Sequence, residues 1–248
     1  SKYDGRRFTT YSSDSQTLKS GSNIQEDKYG RIWYANFDGY IYYVENDSLK
    51  AFRQSAVWGY VRFGIVGNSL FCVEPGYITQ YNIKSLKAIR RFSFPTSEIL
   101  ATQFDDKNFY VLSAALYRFS ESDKFDIVPL PDFFKQFFTV PLMGKCKDAI
   151  IFAAKNQAVY SIFRNNKFES PQLLPVKSFL QNISSGASEC WLCSTNGIIR
   201  PVMSNVDKTY KHYFKHFNIT AVFRDKDGAT WLGTVGDGIM YLPDFSTS

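Results

Sequence analysis

Short apolar runs alternate with polar turns along most of the chain. Apolar-rich runs such as 40–44 and 149–154 are separated by clusters of Asp, Asn and Gly. This pattern is typical of β-strands joined by tight turns, because strand side chains alternate between two faces and these three residue types adopt turn conformations. One segment, 132–138, carries aromatic pairs four residues apart, which predicts an inserted turn of helix. The pattern otherwise predicts an all-β chain.

The strands recur in a repeat. Residues 39–53 and 76–90, which lie 37 positions apart, share eight of fifteen residues without a gap. Residues 24–33 and 219–231 share a second pattern, in which an apolar strand precedes Asp-Lys-x-Gly and a strand that carries Trp. Each unit therefore contains a strand, an Asp/Gly turn, an aromatic second strand, a Gly-containing loop, a third strand and a fourth.

A large aromatic marks the second strand of each unit. It recurs at steps of 38, 39, 42, 39 and 40 residues, as Trp33, Phe71, Tyr110, Phe152, Trp191 and Trp231. Two positions later comes a residue that is usually small or aliphatic, as at Ala35 and Gly233. A spacing of two places both side chains on one face of a strand, which suits close packing between neighbouring sheets.

Units of about 40 residues with four strands predict a single β-propeller over 1–248. The last unit supplies three strands, and the N-terminal strand 6–11 would complete it and close the ring. One irregular unit would change the predicted blade count from six to five or seven. The six predicted blades span residues 24–53, 61–92, 98–128, 139–170, 179–214 and 219–242.

Composition and charge narrow the functional classes. The chain is 17% aromatic and carries a net charge of +6, but its basic residues are dispersed, which favours a solvated surface over a nucleic-acid site. No apolar run approaches the roughly 18 residues of a membrane span. The N-terminus lacks the pattern of a signal peptide, so composition alone leaves the compartment open.

Metal, cofactor and redox chemistry are not predicted. Cys190 and Cys193 flank Trp191 in a predicted strand, where residues three apart lie roughly 10 Å apart, so we expect buried free thiols. His212 and His216 would lie roughly 13 Å apart in a strand, too far to share a metal ion. No nucleophile elbow, phosphate loop or zinc motif is present. We therefore predict no catalytic residue, no metal site and no cofactor.

Two segments resemble the regulator-propeller repeat of hybrid two-component sensors from Bacteroides-type bacteria. They are Ile24–Trp33, with Ile-x-Glu-Asp-x-x-Gly-x-Ile-Trp, and the run 227–239, with Asp-Gly-Ala-Thr-Trp-Leu-Gly-Thr followed by Gly-Asp-Gly-Ile. The opening run 3–11 is similar to that family's segment that ends a repeat. The resemblance implies a periplasmic sensor region that detects glycan fragments. In that family an adjoining β domain, a membrane helix and a kinase usually follow.

Loops between the second and third strands would gather around a channel mouth, a common place for a ligand. Amides, carboxylates and an aromatic platform there would suit the hydroxyls and ring faces of sugars. Asp27, Asp225 and Asp227 are excluded from this set, because they recur at a turn that Asp stabilises. The candidate ligand-binding residues are Asn36, Asp38, Trp58, Glu74, Lys155, Asn156, Asn196 and Asp237.

Two functions from different classes remain. The favoured hypothesis is a non-enzymatic ligand-sensing or interaction propeller, with an oligosaccharide ligand and with dimerisation left open. The alternative is a propeller enzyme that acts on polysaccharide as a lyase or hydrolase. It would use carboxylates or Tyr at the channel mouth, and hydrolysis would need paired carboxylates about 5 to 10 Å apart.

Overall fold

The structure is a computed structural model of the 248-residue chain. It divides into two compact units, Ser1–Ile127 and Val128–Ser248. The described residues are 2–3, 6–18, 20–54, 61–74, 76–94, 98–122, 124–174, 176–185, 189–203 and 210–245.

The first unit contains one hairpin, β1 with β2, and three four-stranded sheets made of β3–β6, β7–β10 and β11–β14. Its strands are β1 (Lys2–Tyr3), β2 (Phe8–Thr9), β3 (Gly21–Glu26), β4 (Ile32–Asn36), β5 (Tyr40–Glu45), β6 (Ser48–Gln54), β7 (Arg62–Val66), β8 (Ser69–Glu74), β9 (Tyr77–Asn82), β10 (Ala88–Ser93), β11 (Ala101–Phe104), β12 (Phe109–Leu112), β13 (Leu116–Phe119) and β14 (Phe125–Val128), the last ending at the unit boundary.

The second unit begins with a helix and contains three further sheets, made of β15–β19, β20–β23 and β24–β26. Its elements are α1 (Asp132–Phe137), β15 (Pro141–Cys146), β16 (Ala149–Ala154), β17 (Val159–Arg164), β18 (Lys167–Phe168), β19 (Gln172–Leu173), β20 (Leu180–Ser185), β21 (Cys190–Ser194), β22 (Gly197–Arg200), β23 (Lys211–Tyr213), β24 (Ile219–Arg224), β25 (Thr230–Thr234) and β26 (Ile239–Leu242).

Six consecutive antiparallel sheets are the blades of a β-propeller, so the predicted fold class and the count of six are confirmed. The predicted turn of helix is α1. The fourth blade contains five strands, but two of them are short and together take the place of one. β18 pairs with the end of β17 and β19 with its beginning, so the two form one interrupted fourth strand. Pro171, which lies between them, cannot donate to the sheet ladder.

Closure by the N-terminal strand is not confirmed. Within the predicted strand 6–11, only Phe8–Thr9 forms a strand, and it pairs with Lys2–Tyr3. The last sheet has three strands in the described part of the chain. The local hairpin joins partners a few residues apart, which costs less loop entropy than pairing the two ends of the chain. The single-domain assignment over 1–248 and the blade boundaries stay predictions.

Within each unit, neighbouring sheets pack through the repeated aromatic positions. Trp33 and Ala35 of β4 pack on Phe63 and Leu70 of the next sheet, as the two-residue spacing predicts. In the second unit, Trp191 packs on Leu232 of the last sheet. Burial of such an aromatic stabilises the sheet interface by about 2–3 kcal/mol.

Glycines in the first strands allow this close approach. A Cβ at Gly64 of β7 would overlap the Phe109 ring of the next sheet. A Cβ at Gly144 of β15 would overlap Cγ2 of Ile183 in β20. Neither glycine has a positive φ, so close packing, and not backbone conformation, excludes a side chain at these two positions.

The expectation of a free thiol at Cys190 is wrong. Cys190 forms a disulfide with Cys146, whose Cα lies 5.6 Å away. The two residues lie on adjacent sheets, at the end of β15 and the start of β21. Cys72 and Cys193 are free and buried, so the predicted lack of a bond between Cys190 and Cys193 is correct. The partner of Cys190 is 44 residues away and is brought near only by the packing of the two sheets.

Candidate functional site

The turn aspartates are structural. Asp27 Oδ2 accepts hydrogen bonds from Trp33 Nε1 at 2.8 Å and from Arg31 Nε at 2.7 Å, and Asp225 Oδ2 accepts one from Trp231 Nε1 at 2.8 Å. In the third sheet, Tyr110 donates its hydroxyl to Asp105 Oδ2 at 2.8 Å. The same bond, from the aromatic of the second strand to the Asp of the preceding turn, therefore recurs within three of the blades.

These bonds favour the ionised form of Asp27 and of Asp225. Burial acts to raise the pKa of Asp27, but the hydrogen bonds from Trp33 and Arg31 outweigh it and hold the pKa below its ordinary value. The hydrogen bond from Trp231 is the main reason that the pKa of Asp225 is lowered. A carboxylate with a lowered pKa and filled acceptor positions is unsuited to act as a general acid.

Asn36 and Asp38 lie together at the turn between β4 and β5, and both are buried. Asp38 Oδ2 accepts hydrogen bonds from the backbone N–H and the hydroxyl of Thr17, at 3.1 and 3.0 Å. Asn36 Nδ2 donates to the carbonyl of Leu18 at 2.5 Å. The two predicted ligand residues therefore anchor the segment that precedes β3, and their polar atoms point into the protein.

Glu74, at the end of β8, is likewise engaged. Its carboxylate is buried, forms an ion pair with Arg53 of the neighbouring sheet and accepts a hydrogen bond from Thr79 Oγ1 at 3.2 Å. Buried carboxylates are normally paired in this way, because an unpaired charge away from water is costly. Glu74 links two blades of the first unit.

Asn156 and Asn196 do come together. Both line a pocket of about 810 Å³ in the second unit, where the turns after β16 and β21 meet the segment that connects β19 to β20. The pocket is lined by Phe137, Asn156, Gln157, Ala158, Val159, Leu173, Leu174, Val176, Lys177, Ser178, Phe179, Thr195 and Asn196.

The walls of this pocket are held by backbone bonds. Leu174 N donates to Ala158 O at 2.7 Å, and Thr195 N donates to Phe179 O at 3.0 Å. The hydroxyls of Ser178 and Thr195 lie 3.3 Å apart across the wall. A site whose walls are already bonded together loses little entropy when a ligand binds.

Four polar side chains of the pocket are available to a ligand. Within the described residues, the side chains of Asn156, Gln157, Lys177 and Asn196 form no hydrogen bond or ion pair, and all four residues are exposed. Phe179 beside them is 59% exposed. Sequence reasoning missed Lys177 and Phe179, because they lie in a connection between blades where the repeat leaves no signal.

The other predicted residues are not among those that line this pocket. Lys155 precedes Asn156 and is exposed. Asp237 is exposed in the last sheet, where its N–H donates to Thr234 Oγ1 at 3.0 Å. Trp58 lies outside the described residues. The structure thus brings together Asn156 and Asn196, with Lys155 next to Asn156 in sequence.

Three buried or half-buried tyrosines have raised pKa values. Burial raises the pKa of Tyr34 to about 12, and burial is also the main reason that the pKa values of Tyr110 and Tyr160 are raised. A ring nitrogen of His212 forms a hydrogen bond with the carbonyl of Asn196. In the ranges that the structure describes, no group of three or more His, Cys, Asp or Glu could hold a metal ion, and no helix is long and apolar enough to cross a bilayer.

No protein-family model matches the chain, and no curated protein sequence matches it. Solved structures do match its fold. A catalytically inactive form of virginiamycin B lyase from Staphylococcus aureus, with quinupristin, is 16% identical with a TM-score of 0.67, over 91% of this chain and 80% of that chain. PorZ, a surface component of the type-IX secretion system of Porphyromonas gingivalis, is 13% identical with a TM-score of 0.65, over 91% of this chain and 31% of that chain.

The predicted resemblance to two-component sensors has a counterpart at the level of the fold. The extracellular domain of the putative hybrid two component system BT4673 from B. thetaiotaomicron is 16% identical with a TM-score of 0.57, over 92% of this chain and 38% of that domain. At these identities the comparisons establish the fold alone. The chain therefore has the β-propeller fold that is found in a two-component sensor domain and in a streptogramin-type lyase.

Proposed function

We propose that this propeller is a non-enzymatic ligand-sensing module that acts outside the cytoplasm and binds its ligand in the pocket around Asn156 and Asn196. The chemistry of the pocket carries the proposal. Its lining contains amides, hydroxyls, one Lys and two Phe, but no Asp, Glu, His, Cys or Tyr among the described residues. Amides and hydroxyls bind polar ligands well but supply no group that titrates near neutral pH.

A sensor role is supported by the likeness to the extracellular domain of the BT4673 two-component system. By this analogy the chain would act with an adjoining β domain and a kinase in a longer protein. This chain covers 38% of that domain, so those partners are part of the proposal. Dimerisation stays a prediction, which light scattering would test.

A location outside the cytoplasm is supported by the Cys146–Cys190 disulfide. Disulfides persist in the periplasm and outside the cell, whereas cytosolic reductants keep thiols reduced. The BT4673 domain is also described as extracellular. Within that range we propose the periplasm rather than the cell surface, and fractionation of producing cells would test this location.

A glycan fits the pocket better than a purely apolar or a purely charged ligand. Sugars present hydroxyls to amide groups and an apolar ring face to aromatic side chains. Asn156, Gln157 and Asn196 supply the amides, and the exposed ring of Phe179 supplies the platform.

The test is a thermal-shift screen of oligosaccharides, followed by Asn196→Ala and Phe179→Ala. A ligand at about a hundred times its Kd would stabilise the fold by about 2.7 kcal/mol and raise Tm by roughly 5–10 °C. Both variants should lose most of that shift. Phe223→Ala is the matched control, since Phe223 is an equally accessible Phe in the same unit but outside the pocket. A screen in which no glycan raises Tm would refute the glycan ligand.

The alternative of a propeller enzyme has one supporting observation, the likeness to virginiamycin B lyase. The likeness extends to the fold only, and the pocket offers no acid or imidazole in the described lining. Product analysis by mass spectrometry of each glycan that binds would decide. Sensing predicts that a bound oligosaccharide is recovered intact after overnight incubation.

A further inference from the structure

The charged side chains at the pocket are basic. Lys177 lines the pocket, and Lys155 directly precedes the lining residue Asn156. No carboxylate belongs to the described lining. The described lining therefore carries one ammonium group and no carboxylate, and the backbone of a second lysine is joined directly to it. This positive charge favours an anionic ligand.

Several basic residues of this protein form ion pairs with a neighbouring carboxylate, whereas in the described part of the chain these two lysines do not. Lys50 is paired with Glu45 at 2.6 Å, and Arg118 is paired with Asp126 at 2.6 Å. By contrast, the ammonium groups of Lys155 and Lys177 have no hydrogen-bond or ion-pair partner among the described residues. Their ammonium donors are available to a ligand.

Both lysines are attached to ordered backbone. Lys155 N donates to Val140 O at 3.0 Å, and Lys155 O accepts from Leu180 N at 3.1 Å. Lys177 lies between the backbone bonds made by Leu174 and Phe179. Two cations anchored on neighbouring segments can approach one ligand together without a large rearrangement.

We propose that the ligand is an acidic oligosaccharide, a uronic-acid chain whose carboxylates bind Lys155 and Lys177. Its hydroxyls would then bind Asn156 and Asn196, and a ring face would lie against Phe179. This inference rests on the proposed function, since it names the class of ligand for the same pocket. Charge-assisted hydrogen bonds to carboxylates are about twice as strong as neutral ones, so charge would select the ligand.

The experiment compares three tetrasaccharides by isothermal titration with the whole chain: tetragalacturonate, its methyl ester and the neutral galactose tetramer. The ester keeps the backbone and removes the charge. We expect tetragalacturonate to bind at least ten-fold more tightly than the ester, and Lys155→Gln and Lys177→Gln each to weaken it about ten-fold. Raising NaCl from 50 to 500 mM should weaken it further.

Lys167→Gln is the matched control, because Lys167 is also exposed but lies in β18, where it pairs with Arg164 at the end of β17 that is roughly 16 Å of strand from the pocket. It should leave the affinity unchanged. Equal weakening by Lys167→Gln would mean binding to the general positive charge, and would overturn the proposal.

The other outcomes separate this inference from the proposed function. If the ester or the neutral tetramer binds as tightly as the acid, and Asn196→Ala abolishes that binding, the pocket senses glycans but the acidic ligand is wrong. If none of the three binds and the wider screen also shows no shift, both proposals fail. Circular dichroism of each variant confirms that loss of binding is not loss of fold.

Discussion

Asp27 illustrates how a repeated residue carries stability in this fold. Its carboxylate accepts bonds from the turn that follows it, from Arg31 and from the indole of Trp33, and both side-chain partners are buried. Asp225 forms the same indole bond in the last blade at a more exposed position. The recurrence of Asp before Trp in the sequence is therefore explained by a hydrogen bond, and the structural assignment of these residues agrees with the geometry.

Replacing Asp27 should be strongly destabilising. Asp27→Ala would leave Nε of the buried Arg31 and the indole N–H of Trp33 without their acceptor, so we expect a loss of about 3 kcal/mol in the free energy of unfolding. Urea denaturation followed by Trp fluorescence measures it. The exposed Asp14→Ala should change the value by less than about 0.5 kcal/mol. A loss that small at Asp27 would contradict the structural role.

The lowered pKa values of Asp27 and Asp225 predict acid sensitivity. A carboxyl whose pKa is lower in the folded state contributes stability that is present above its unfolded value of 3.8 and is lost as pH falls through the folded value. The urea midpoint should therefore decrease as pH falls below about 4. The difference in urea midpoint between the parent chain and the Asp27→Asn variant should become smaller over the same pH range. A difference that grows on acidification would have the wrong sign.

At the scale of elements, sheet packing depends on residues without a side chain. Gly64 and Gly144 each lie in the first strand of a blade and directly face a large side chain of the next blade. In the sequence these glycines look like ordinary interruptions of a strand. Their role becomes visible only when the neighbouring sheet is present, because the contact joins residues that lie 39 or more positions apart.

Gly144→Ala should therefore be destabilising by about 1–3 kcal/mol, because the new Cβ would overlap Ile183. The double variant Gly144→Ala with Ile183→Gly should lose less than the sum of the two single variants, since both the Cβ and the Cγ2 that the new Cβ would overlap are then absent. Gly233→Ala is a milder comparison, where the new Cβ would meet Thr220 Oγ1 at 3.3 Å. Additive losses in the double-mutant cycle would contradict direct contact.

At the scale of the molecule, the two units each contain three blades, and the second holds both the disulfide and the pocket. The disulfide between Cys146 and Cys190 joins the fourth and fifth blades at one end of their strands. The pocket turns lie at the other end of the same two blades. The covalent link restrains the unfolded chain over 44 residues, which is worth about 2–4 kcal/mol.

Thiol titration tests the pairing. The native chain should react slowly, because Cys72 and Cys193 are buried and burial raises the pKa of Cys193 to about 11. In guanidinium without reductant, we expect two thiols to react, those of the free cysteines Cys72 and Cys193. After reduction, we expect all four cysteines to react. Cys146→Ser should lower Tm by several degrees. It should also add one thiol, that of Cys190, to the number that reacts in guanidinium. Four thiols before reduction, in protein prepared under oxidising conditions, would rule out the disulfide.

The sequence by itself determined the strand-rich content, the six units and the structural turn aspartates. The reason is that a repeat of about 40 residues and a period of two along each strand are local properties of the chain. The same repeat explains why Asn36, Asp38 and Glu74 were expected at a ligand site, since equivalent loops look alike in sequence. Which loop residues keep their polar groups available was not visible there.

Only the tertiary structure decided that Asp38 binds Thr17, that Cys146 pairs with Cys190, and that Asn156 and Asn196 share a pocket with Lys177. Each of these contacts joins residues more than 15 positions apart. The packing of one sheet on the next and the course of the connections set such distances, and neither is encoded in the repeat. The fold is therefore a property of the pattern along the chain, whereas the candidate site depends on its departures from that pattern.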